Sequence, residues 1–255
     1  MKNNPSVDIV MANYNKGPYL EEAINSVILQ IYNDWNLIII DDCSTDNSKL
    51  VLNKFKEKKN SIKIFYLAKN MGTSFSRNLA LRLSKSKYIA FLDSDDYWTP
   101  NKLIDQISFM ETKNHDFTYT DYTPFSVRKN IKIMKKKIVS PNFFNFKKFI
   151  NDTTIATSSV VIKKNVIKTI KFPKIKTSED YCFKSQILKS GIDAFKFNSN
   201  SMFYRVMKNS LSSSKFKNAY SIFYINKKFN KLSLFQNIKS VIRISISSLK
   251  KYGYK

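Results

Sequence analysis

Short apolar stretches alternate with amphipathic ones through the first hundred residues. Runs of β-prone residues, such as VDIVMA at 7–12, are followed by segments in which apolar side chains recur at helical spacing, as they do across 19–30. The order strand, helix, strand, helix, strand, helix, strand predicts an α/β fold with a mainly parallel sheet flanked by helices. The predicted strands are 7–12, 37–42, 62–70 and 88–92.

Acidic residues follow two of these strands. Asp41 and Asp42 end the second strand, and Asp93, Asp95 and Asp96 end the fourth. Carboxyl ends of parallel strands meet at one edge of a sheet, where ligands bind. Carboxylates this close together repel one another unless a cation or a phosphate-bearing ligand compensates. Oxygen ligands spaced as Asp-Ser-Asp suit Mg²⁺ or Mn²⁺, so the sequence indicates a metal and phosphate site.

Two further side chains are predicted to lie at the same rim. Tyr14 follows the first strand and can stack on a nucleobase, while Arg77 in the third predicted helix can neutralise a phosphate. One of Asp41 and Asp42 can accept from a base N–H. Each of these residues alone is an ordinary loop aromatic, helix acid or solvated charge, but together they favour a nucleotide ligand. The chain contains neither GxGxxG nor GxxxxGK[ST], which argues against a Rossmann dehydrogenase and a P-loop enzyme.

The net charge is concentrated in the second half of the chain. Residues 1–125 contain 15 basic and 15 acidic side chains, so the whole excess of +25 lies in 126–255. Such an excess indicates an anionic partner, whether a phospholipid surface, a nucleic acid or an anionic glycan. A composition rich in Lys, Asn and Ile, as an AT-rich coding sequence produces, explains the same excess without a partner. The two interpretations stay open at this point.

Length and composition fit one large α/β domain with or without a small appendage. The chain has 255 residues, of which 43% are hydrophobic, enough to bury a core. No signal peptide or membrane span is expected, because no apolar run of roughly eighteen residues occurs. Cys43 and Cys182 lie far apart and suggest neither a disulfide framework nor a zinc site. We therefore expect a cytoplasmic protein.

Four ordered motifs resemble the glycosyltransferase family 2 enzymes with the GT-A fold. They are NYNKGPYLEEAINSVILQ at 13–30, IIIDDCSTDNS at 38–48, NMGTSFSRNLAL at 70–81 and KYIAFLDSDDYWTPNKL at 87–103. The resemblance is close over 6–115 and looser to about 215. It implies a Rossmann-like mixed sheet, mainly parallel, with a C-terminal helical extension.

The resemblance also implies roles on the donor side. Tyr14 and Asp42 would contact the nucleobase. The DxD element, Asp93 to Asp95 with Ser94 between them, would handle the ribose and a metal-bound diphosphate. Asp95, with Asp93 beside it, would ligate Mn²⁺ or Mg²⁺ directly.

On the acceptor side, TSEDYCFKSQILKSG at 177–191 resembles the family's Glu-Asp helix start. The resemblance implies that Asp180, preceded by Glu179, deprotonates the incoming hydroxyl. From the residues alone, both acids equally complement the positive end of a helix dipole. The segments TYTDY at 118–122 and IATSSVVIKK at 155–164 are predicted to be further strands, the second facing the acceptor.

One position departs from the family pattern. The segment 203–213 resembles an element that often carries a metal-binding histidine where Met207 stands. A thioether is a poor ligand for hard Mg²⁺ or Mn²⁺. Two arrangements are then expected. Either the metal is bound by Asp95, the diphosphate and water, or a basic side chain such as Arg205 or Lys208 shares the phosphate charge. The single histidine, His115, is expected to be structural.

The implied activity is inverting transfer of a sugar from a nucleotide diphosphate donor, in particular a UDP-sugar, to a hydroxyl of a cell-surface glycan such as lipopolysaccharide or capsule. Residues 1–215 would form the catalytic domain, with a donor half at 1–98 and an acceptor half at 99–215. The alternatives are a nucleotidyltransferase, which releases pyrophosphate, and a basic membrane-binding or nucleic-acid-binding protein with a degenerate site. Nucleic acid is not expected, because the ordered motifs lie in the neutral half.

Residues 216–255 are predicted to be a basic amphipathic helical extension. Phe235, Ile238, Ile242 and Leu249 fall near one helical face, with basic residues elsewhere. Three functions are open for this face. It can lie on an anionic membrane, where lipid-linked glycan acceptors reside and the enzyme would be peripheral, it can pack on the catalytic domain, or it can mediate a homodimer.

Overall fold

The predicted alternation of strands and helices is confirmed. The structure, a computed structural model, describes residues 6–56, 61–207 and 215–252. Strands β1, β2 and β4 are buried almost throughout because helices cover both faces of the sheet. The elements of this half are β1 (Val7–Asn13), α1 (Gly17–Ile28), β2 (Trp35–Asp41), α2 (Ser48–Lys56), β3 (Ile62–Tyr66), α3 (Thr73–Leu83) and β4 (Tyr88–Phe91).

The second half extends the same sheet. Among the described residues the strand order is β3-β2-β1-β4-β9-β6-β10-β5, with β7 paired to β6 and β8 to β10. Strand β9 runs antiparallel to both neighbours, whereas β10 is parallel to β6, so the sheet is mixed. The elements are β5 (Tyr97–Trp98), α4 (Lys102–Lys113), β6 (Phe117–Arg128), β7 (Ile131–Met134), β8 (Phe143–Phe144), α5 (Phe146–Phe149), β9 (Val161–Lys163), α6 (Glu179–Lys189), β10 (Ala194–Arg205), α7 (Lys215–Ile225) and α8 (Leu234–Tyr252).

Three segments differ from the sequence-based prediction. The strand predicted at 62–70 ends at Tyr66. The stretch 155–164 was predicted to be one strand, but only Val161–Lys163 pairs with the sheet, and Thr157–Ser159 forms a 3-10 turn. The turn forms because its serines bond locally, as Ser159 Oγ does to the carbonyl of Ala156 over 2.7 Å. The C-terminal helix is interrupted by a π-helical turn, Asn226–Asn230, and residues 253–255 lie outside the described part.

The sheet separates two apolar cores. Along β1, Ile9 and Met11 face the core that α1, α2 and α4 close, and Val10 faces the core under α3, α6 and the C-terminal helices. His115 stacks on Phe195 at 3.9 Å between ring centroids, in keeping with a structural residue. None of the described helices is long and apolar enough to span a bilayer.

Replacing the buried Lys102 by Met is expected to raise the free energy of unfolding by about 1–3 kcal/mol, the cost of an unsatisfied buried polar group. The side chain is 1% exposed, and no described residue hydrogen-bonds its Nζ, which lies 4.0 Å from the centre of the Trp98 ring. Urea denaturation measures the change, with Lys113→Met at the exposed end of α4 as the matched control. An equal or lower stability for Lys102→Met would show that the ring contact compensates for burial.

The stability difference between wild type and Lys102→Met is expected to depend on pH. Burial lowers the pKa of Lys102 well below its ordinary value. At pH values between the folded and the unfolded pKa, the unfolded chain therefore binds a proton that the folded chain does not. Stability therefore rises with pH until the unfolded lysine titrates, at about pH 10. The advantage of Lys102→Met should shrink over that range.

Candidate functional site

The carboxyl ends of three neighbouring strands form one rim of the sheet. β1 pairs in parallel with both β2 and β4, and the register places Asn13 opposite Asp41. Asn13 Nδ2 donates to Asp41 Oδ1 over 2.7 Å, and the Ser44 hydroxyl donates to the same oxygen over 2.6 Å. Asp41 thus lies on the predicted rim, where it orders the loop after β2 and is 3% exposed.

Asp42 and Tyr14 lie at this rim in contrasting settings. The two oxygens of Asp42 accept from the backbone N–H groups of Met71 and Gly72, each over 2.7 Å, which ties β2 to the start of α3. Gly72 has φ 87°, a conformation that favours glycine. Tyr14 is 45% exposed, so its ring is accessible to a nucleobase. The base-binding roles of both side chains stay predictions.

Arg77 connects the DxD element to the Glu-Asp pair. Its Nη2 lies 2.6 Å from Asp93 Oδ1, its Nη1 lies 2.9 Å from Glu179 Oε1, and its guanidinium lies over the Phe172 ring. Burial by itself lowers the pKa of Arg77, but the Asp93 and Glu179 carboxylates outweigh burial and raise it. The group is therefore a permanent cation. The sequence predicted that Arg77 neutralises a phosphate. In this structure it neutralises the carboxylates of Asp93 and Glu179.

Lys16 pairs with the predicted metal ligand Asp95. Its Nζ lies 2.6 Å from Asp95 Oδ2 and 3.7 Å from Met207 Sδ. Burial raises the pKa of Asp95, and the Lys16 ammonium opposes that rise. Ser94, between the two aspartates of the DxD element, is buried. The position at which the family resemblance implies a histidine thus contacts a lysine.

Asp96, the third carboxylate of the cluster, anchors the DxD loop. Its Oδ2 accepts from the Ser158 hydroxyl over 2.7 Å and its Oδ1 from the Arg205 N–H over 2.9 Å. The Ser158 oxygen also accepts from the Asp93 N–H over 3.0 Å. Burial, followed by the nearby aspartates, raises the pKa of Asp96 well above its ordinary value.

Arg205 also holds this loop. Its guanidinium forms an ion pair with Glu22, and its Nε donates to the Asp95 carbonyl over 2.9 Å. Of the two basic residues suggested from the sequence to share phosphate charge, Arg205 is thus paired within the protein. The other, Lys208, lies outside the described residues.

A divalent cation fits the suggested ligand Asp95, whereas the other suggested ligand, Asp93, has one of its oxygens in the ion pair with Arg77. Mg²⁺ and Mn²⁺ accept one or two carboxylates completed by substrate phosphates and water. Asp95 can supply such a ligand, since the Lys16 contact uses one of its oxygens. Met207 cannot, because its thioether is soft. Within 6–56, 61–207 and 215–252, no cluster of three His, Cys, Asp or Glu side chains could hold a metal. A cation here would need the diphosphate as well.

Glu179 and Asp180 occupy the first turn of α6, where the Glu-Asp motif predicted them. Asp180 Oδ2 accepts from Lys184 Nζ over 2.8 Å and from the Thr157 hydroxyl over 3.0 Å. The Asp180 side chain is nevertheless 36% exposed. Adjacent carboxylates therefore pair with different cations, Glu179 with Arg77 and Asp180 with Lys184.

The pKa values of Glu179 and Asp180 are shifted in opposite directions. Burial raises the pKa of Glu179, opposed by Arg77 and reinforced by Asp180. Burial also favours a higher pKa for Asp180, but Lys184, Arg77 and the Thr157 hydroxyl outweigh it and lower that pKa below its ordinary value. Asp180 is thus ionised across the neutral range, as a general base must be.

Sequence reasoning missed three of these contacts. Lys184 lies four residues after Asp180, the spacing of a helical ion pair, so a search for such pairs would have found it. Thr157 and Lys16 meet their carboxylates across 23 and 79 residues respectively. No local pattern predicts such pairs.

Comparison with known proteins finds relatives over nearly the whole chain. The family model described as Glycosyl transferase family 2 matches residues 8–171. TuaG of Bacillus subtilis, named provisionally as a teichuronic acid biosynthesis glycosyltransferase, is 30% identical over 247 residues and 97% of both chains. WfaP of Escherichia coli, named UDP-Glc:alpha-D-GlcNAc-diphosphoundecaprenol beta-1,3-glucosyltransferase, is 36% identical over 213 residues, which are 83% of this chain and 81% of the relative.

Solved structures share the fold. S. aureus TarS 1-349 in complex with UDP-GlcNAc superposes with a TM-score of 0.71 at 18% identity, over 96% of this chain and 73% of that one. The mannosyltransferase PcManGT from Pyrobaculum calidifontis in complex with GDP-Man and Mn²⁺ gives 0.69 at 13% identity, over 100% and 77%. At these identities the likeness establishes the fold alone, and the predicted GT-A architecture is confirmed.

Proposed function

The chain belongs to glycosyltransferase family 2, and from that membership we propose that it transfers a hexose, with inversion, from a UDP-sugar to a hydroxyl of a lipid-linked glycan during cell-surface polysaccharide assembly. The name of WfaP, which specifies a UDP-Glc donor and a diphosphoundecaprenol acceptor, supports both substrates. One structural observation carries the proposal: Arg77 joins Asp93 of the DxD element to Glu179 of the Glu-Asp pair. Donor and acceptor groups thereby share one rim.

On the donor side, Tyr14 would stack on the uracil and a carboxylate oxygen of Asp42 would accept from its N–H. Exposure of the Tyr14 ring supports the first role. Asp41 would support this loop from beneath, since it bonds Asn13 and Ser44. Ser94 and Asp93 would lie beside the ribose, with the diphosphate towards Asp95.

On the acceptor side, Asp180 would take the proton as the acceptor oxygen attacks the anomeric carbon opposite the diphosphate. The bond from that carbon to the phosphate oxygen breaks, and UDP leaves with the electron pair. Support comes from the ionised state of Asp180 and from the two donors, Lys184 and Thr157, that fix one of its oxygens. Glu179 would act by holding Arg77.

Asp95, with Asp93 beside it, would hold Mn²⁺ or Mg²⁺ together with the diphosphate. When bound, such an ion supplies Lewis-acid stabilisation of the leaving diphosphate. Lys16 contacts Asp95, and on donor binding it would contact a phosphate oxygen instead.

Asp95→Ala is expected to abolish the metal-dependent part of UDP binding, because it removes the carboxylate that would share the cation with the diphosphate. Calorimetry of both proteins against UDP, GDP and CMP, with and without Mn²⁺, measures the effect. Asp105→Ala, on the outer helix α4, is the matched control. Equal metal-dependent UDP affinity in wild type and Asp95→Ala would contradict the metal role.

Product analysis tests the reaction class. With UDP-glucose and a GlcNAc-diphosphate-lipid acceptor, a glycosyltransferase releases UDP and a nucleotidyltransferase releases pyrophosphate. Release of pyrophosphate would overturn the proposal. We also propose that the enzyme acts as a peripheral protein at the inner face of the cytoplasmic membrane, where a lipid-linked acceptor is within reach.

A further inference from the structure

The side of α8 that packs on the domain is partly polar: Ile244 joins the apolar core, with Val241 against it, but two polar residues are buried beside them. Asn237 and Ser240 are 1% and 0% exposed. Asn237 Nδ2 donates to the Phe223 carbonyl over 2.9 Å, and the Ser240 hydroxyl donates to the Ile150 carbonyl. Ser240 also accepts from Asn226 Nδ2 over 2.9 Å. Directional hydrogen bonds, together with the packing of Ile244, thus fix which side of the helix faces inward.

The outward side of α8 carries an exposed apolar stripe, which an ordinary surface helix does not. We call its five residues the outer stripe. They recur at helical spacing, and between 46% and 76% of each is exposed to solvent. They are Leu234, Phe235, Ile238, Ile242 and Ile246.

Helix α7, which contacts α8, carries a second exposed series. Phe216, Tyr220 and Tyr224 are spaced one turn apart and are 91%, 72% and 36% exposed. Tyrosine side chains such as Tyr220 and Tyr224 favour the interface between water and lipid, because one end of the ring is apolar and the hydroxyl end is polar. Two adjacent helices therefore expose apolar surface.

The charges near the outer stripe are basic. Lys239 and Arg243 lie one turn apart beside it, and both are exposed. Lys227 and Lys228 on the π-helical turn, and Lys231 directly after it, are exposed as well. The sequence contains no acidic residue after Asp193. A basic apolar helix of this kind complements anionic lipid headgroups. A second copy of the chain would bring like charges together on this face, which disfavours a homodimer here.

The same hydrogen bonds connect α8 to the candidate acceptor site. Asn226, which donates to Ser240, accepts from the Tyr181 hydroxyl over 2.7 Å. Tyr181 directly follows Asp180 in the first turns of α6. The helix with the outer stripe is thus fixed to the helix that carries the proposed base.

We propose that the outer stripe of α8, with the aromatic series of α7, docks on an anionic phospholipid bilayer with α8 lying in the plane of the headgroups. This rests on the proposed function, because a lipid-linked acceptor requires the site to work at a membrane. The buried Asn237 and Ser240 then have a reason: they hold the helix so that the outer stripe stays available to lipid.

Co-sedimentation with vesicles tests the proposal on the full chain. Wild type should bind vesicles of mixed phosphatidylglycerol and phosphatidylcholine, and binding to phosphatidylcholine alone should be weaker. Phe235→Ser with Ile242→Ser should lower binding to the mixed vesicles on the order of ten-fold or more. Lys239→Gln with Arg243→Gln should lower it about five-fold per charge. Leu29→Ser with Leu50→Ser, at exposed leucines of the neutral half, is the matched control and should not change it.

Three outcomes would overturn the proposal. The first is absence of vesicle binding by wild type, and the second is an equal loss of vesicle binding in the leucine control. The third is a dimer of the wild type in solution that becomes monomeric in the Phe235→Ser/Ile242→Ser variant. Calorimetry with UDP keeps this result separate from the proposed function. A stripe variant that binds UDP as wild type does but not vesicles supports the docking surface. Vesicle binding without UDP binding would refute the donor assignment and leave the surface standing.

Discussion

Asp180→Asn is expected to lower the transfer rate by about 10²–10⁴-fold, the usual contribution of a general base. The amide keeps the size of the side chain and can still accept from Lys184 and Thr157, but it cannot take the acceptor proton. UDP affinity should be unchanged, because the carboxylate is assigned to the acceptor. Initial-rate assays with UDP-glucose and a GlcNAc-diphosphate-lipid acceptor, alongside UDP calorimetry, measure both quantities.

Asp193→Asn is the control for this substitution. Asp193 is another acid of the acceptor half, lies on an exposed turn after α6 and should tolerate the same change without loss. Near-full activity of Asp180→Asn would refute the base assignment. If Glu179→Gln alone then abolished transfer at unchanged UDP affinity and stability, the proton acceptor would be Glu179.

Lys184→Met tests how Asp180 is kept ionised. Lys184 is the largest of the influences that lower the pKa of Asp180, so its removal should raise that pKa. A base is active when deprotonated, and the acid limb of kcat/KM should therefore move to higher pH in the variant. A general loss of activity at every pH, with no displacement of the limb, would indicate that Lys184 only packs the helix.

The fold and the rim were predictable because their signals are local. Continuous apolar runs such as 37–40 mark strands buried on both faces, and Asp41 and Asp93 follow strands whose ends must meet. The start of α6 was also predicted, because acids in a first helical turn are a local signature. What each carboxylate contacts was not predictable, since Lys16 and Thr157 come from distant loops.

The orientation of α8 shows a second limit. Sequence periodicity correctly placed Phe235, Ile238 and Ile242 on one face, yet the usual assumption puts an apolar face inward. Here the inward face carries Ile244 and the hydrogen bonds of Asn226, whose amide bonds both Tyr181 and Ser240. Hydrogen bonds between polar side chains are specific in geometry but carry no periodic signal. The direction of an amphipathic helix therefore needs the structure.

Arg77→Met is expected to lower the free energy of unfolding by about 3–5 kcal/mol, the cost of leaving a buried charge unpaired. Methionine keeps an apolar stem against Phe172, so the principal loss is the cation between Asp93 and Glu179. The side chain of Asp93 is 32% exposed and that of Glu179 is 16% exposed. The cost of leaving the carboxylate unpaired is therefore larger for Glu179. Urea denaturation measures the difference, and Arg82→Met, exposed one turn later on α3, should change stability by less than about 0.5 kcal/mol.

The loss caused by Arg77→Met should depend on pH in a defined direction. Without the cation, which opposes the effect of burial, the folded-state pKa of Glu179 rises further above its unfolded value, so stability is retained at low pH and lost as pH rises through the folded pKa. The difference from wild type should thus shrink in acid. Adding Glu179→Gln removes one of the two stranded charges, and the double variant should be more stable than the sum of its single changes predicts. Strict additivity at neutral pH, or a loss no larger than that of Arg82→Met, would mean that Arg77 does not hold the two halves of the site together.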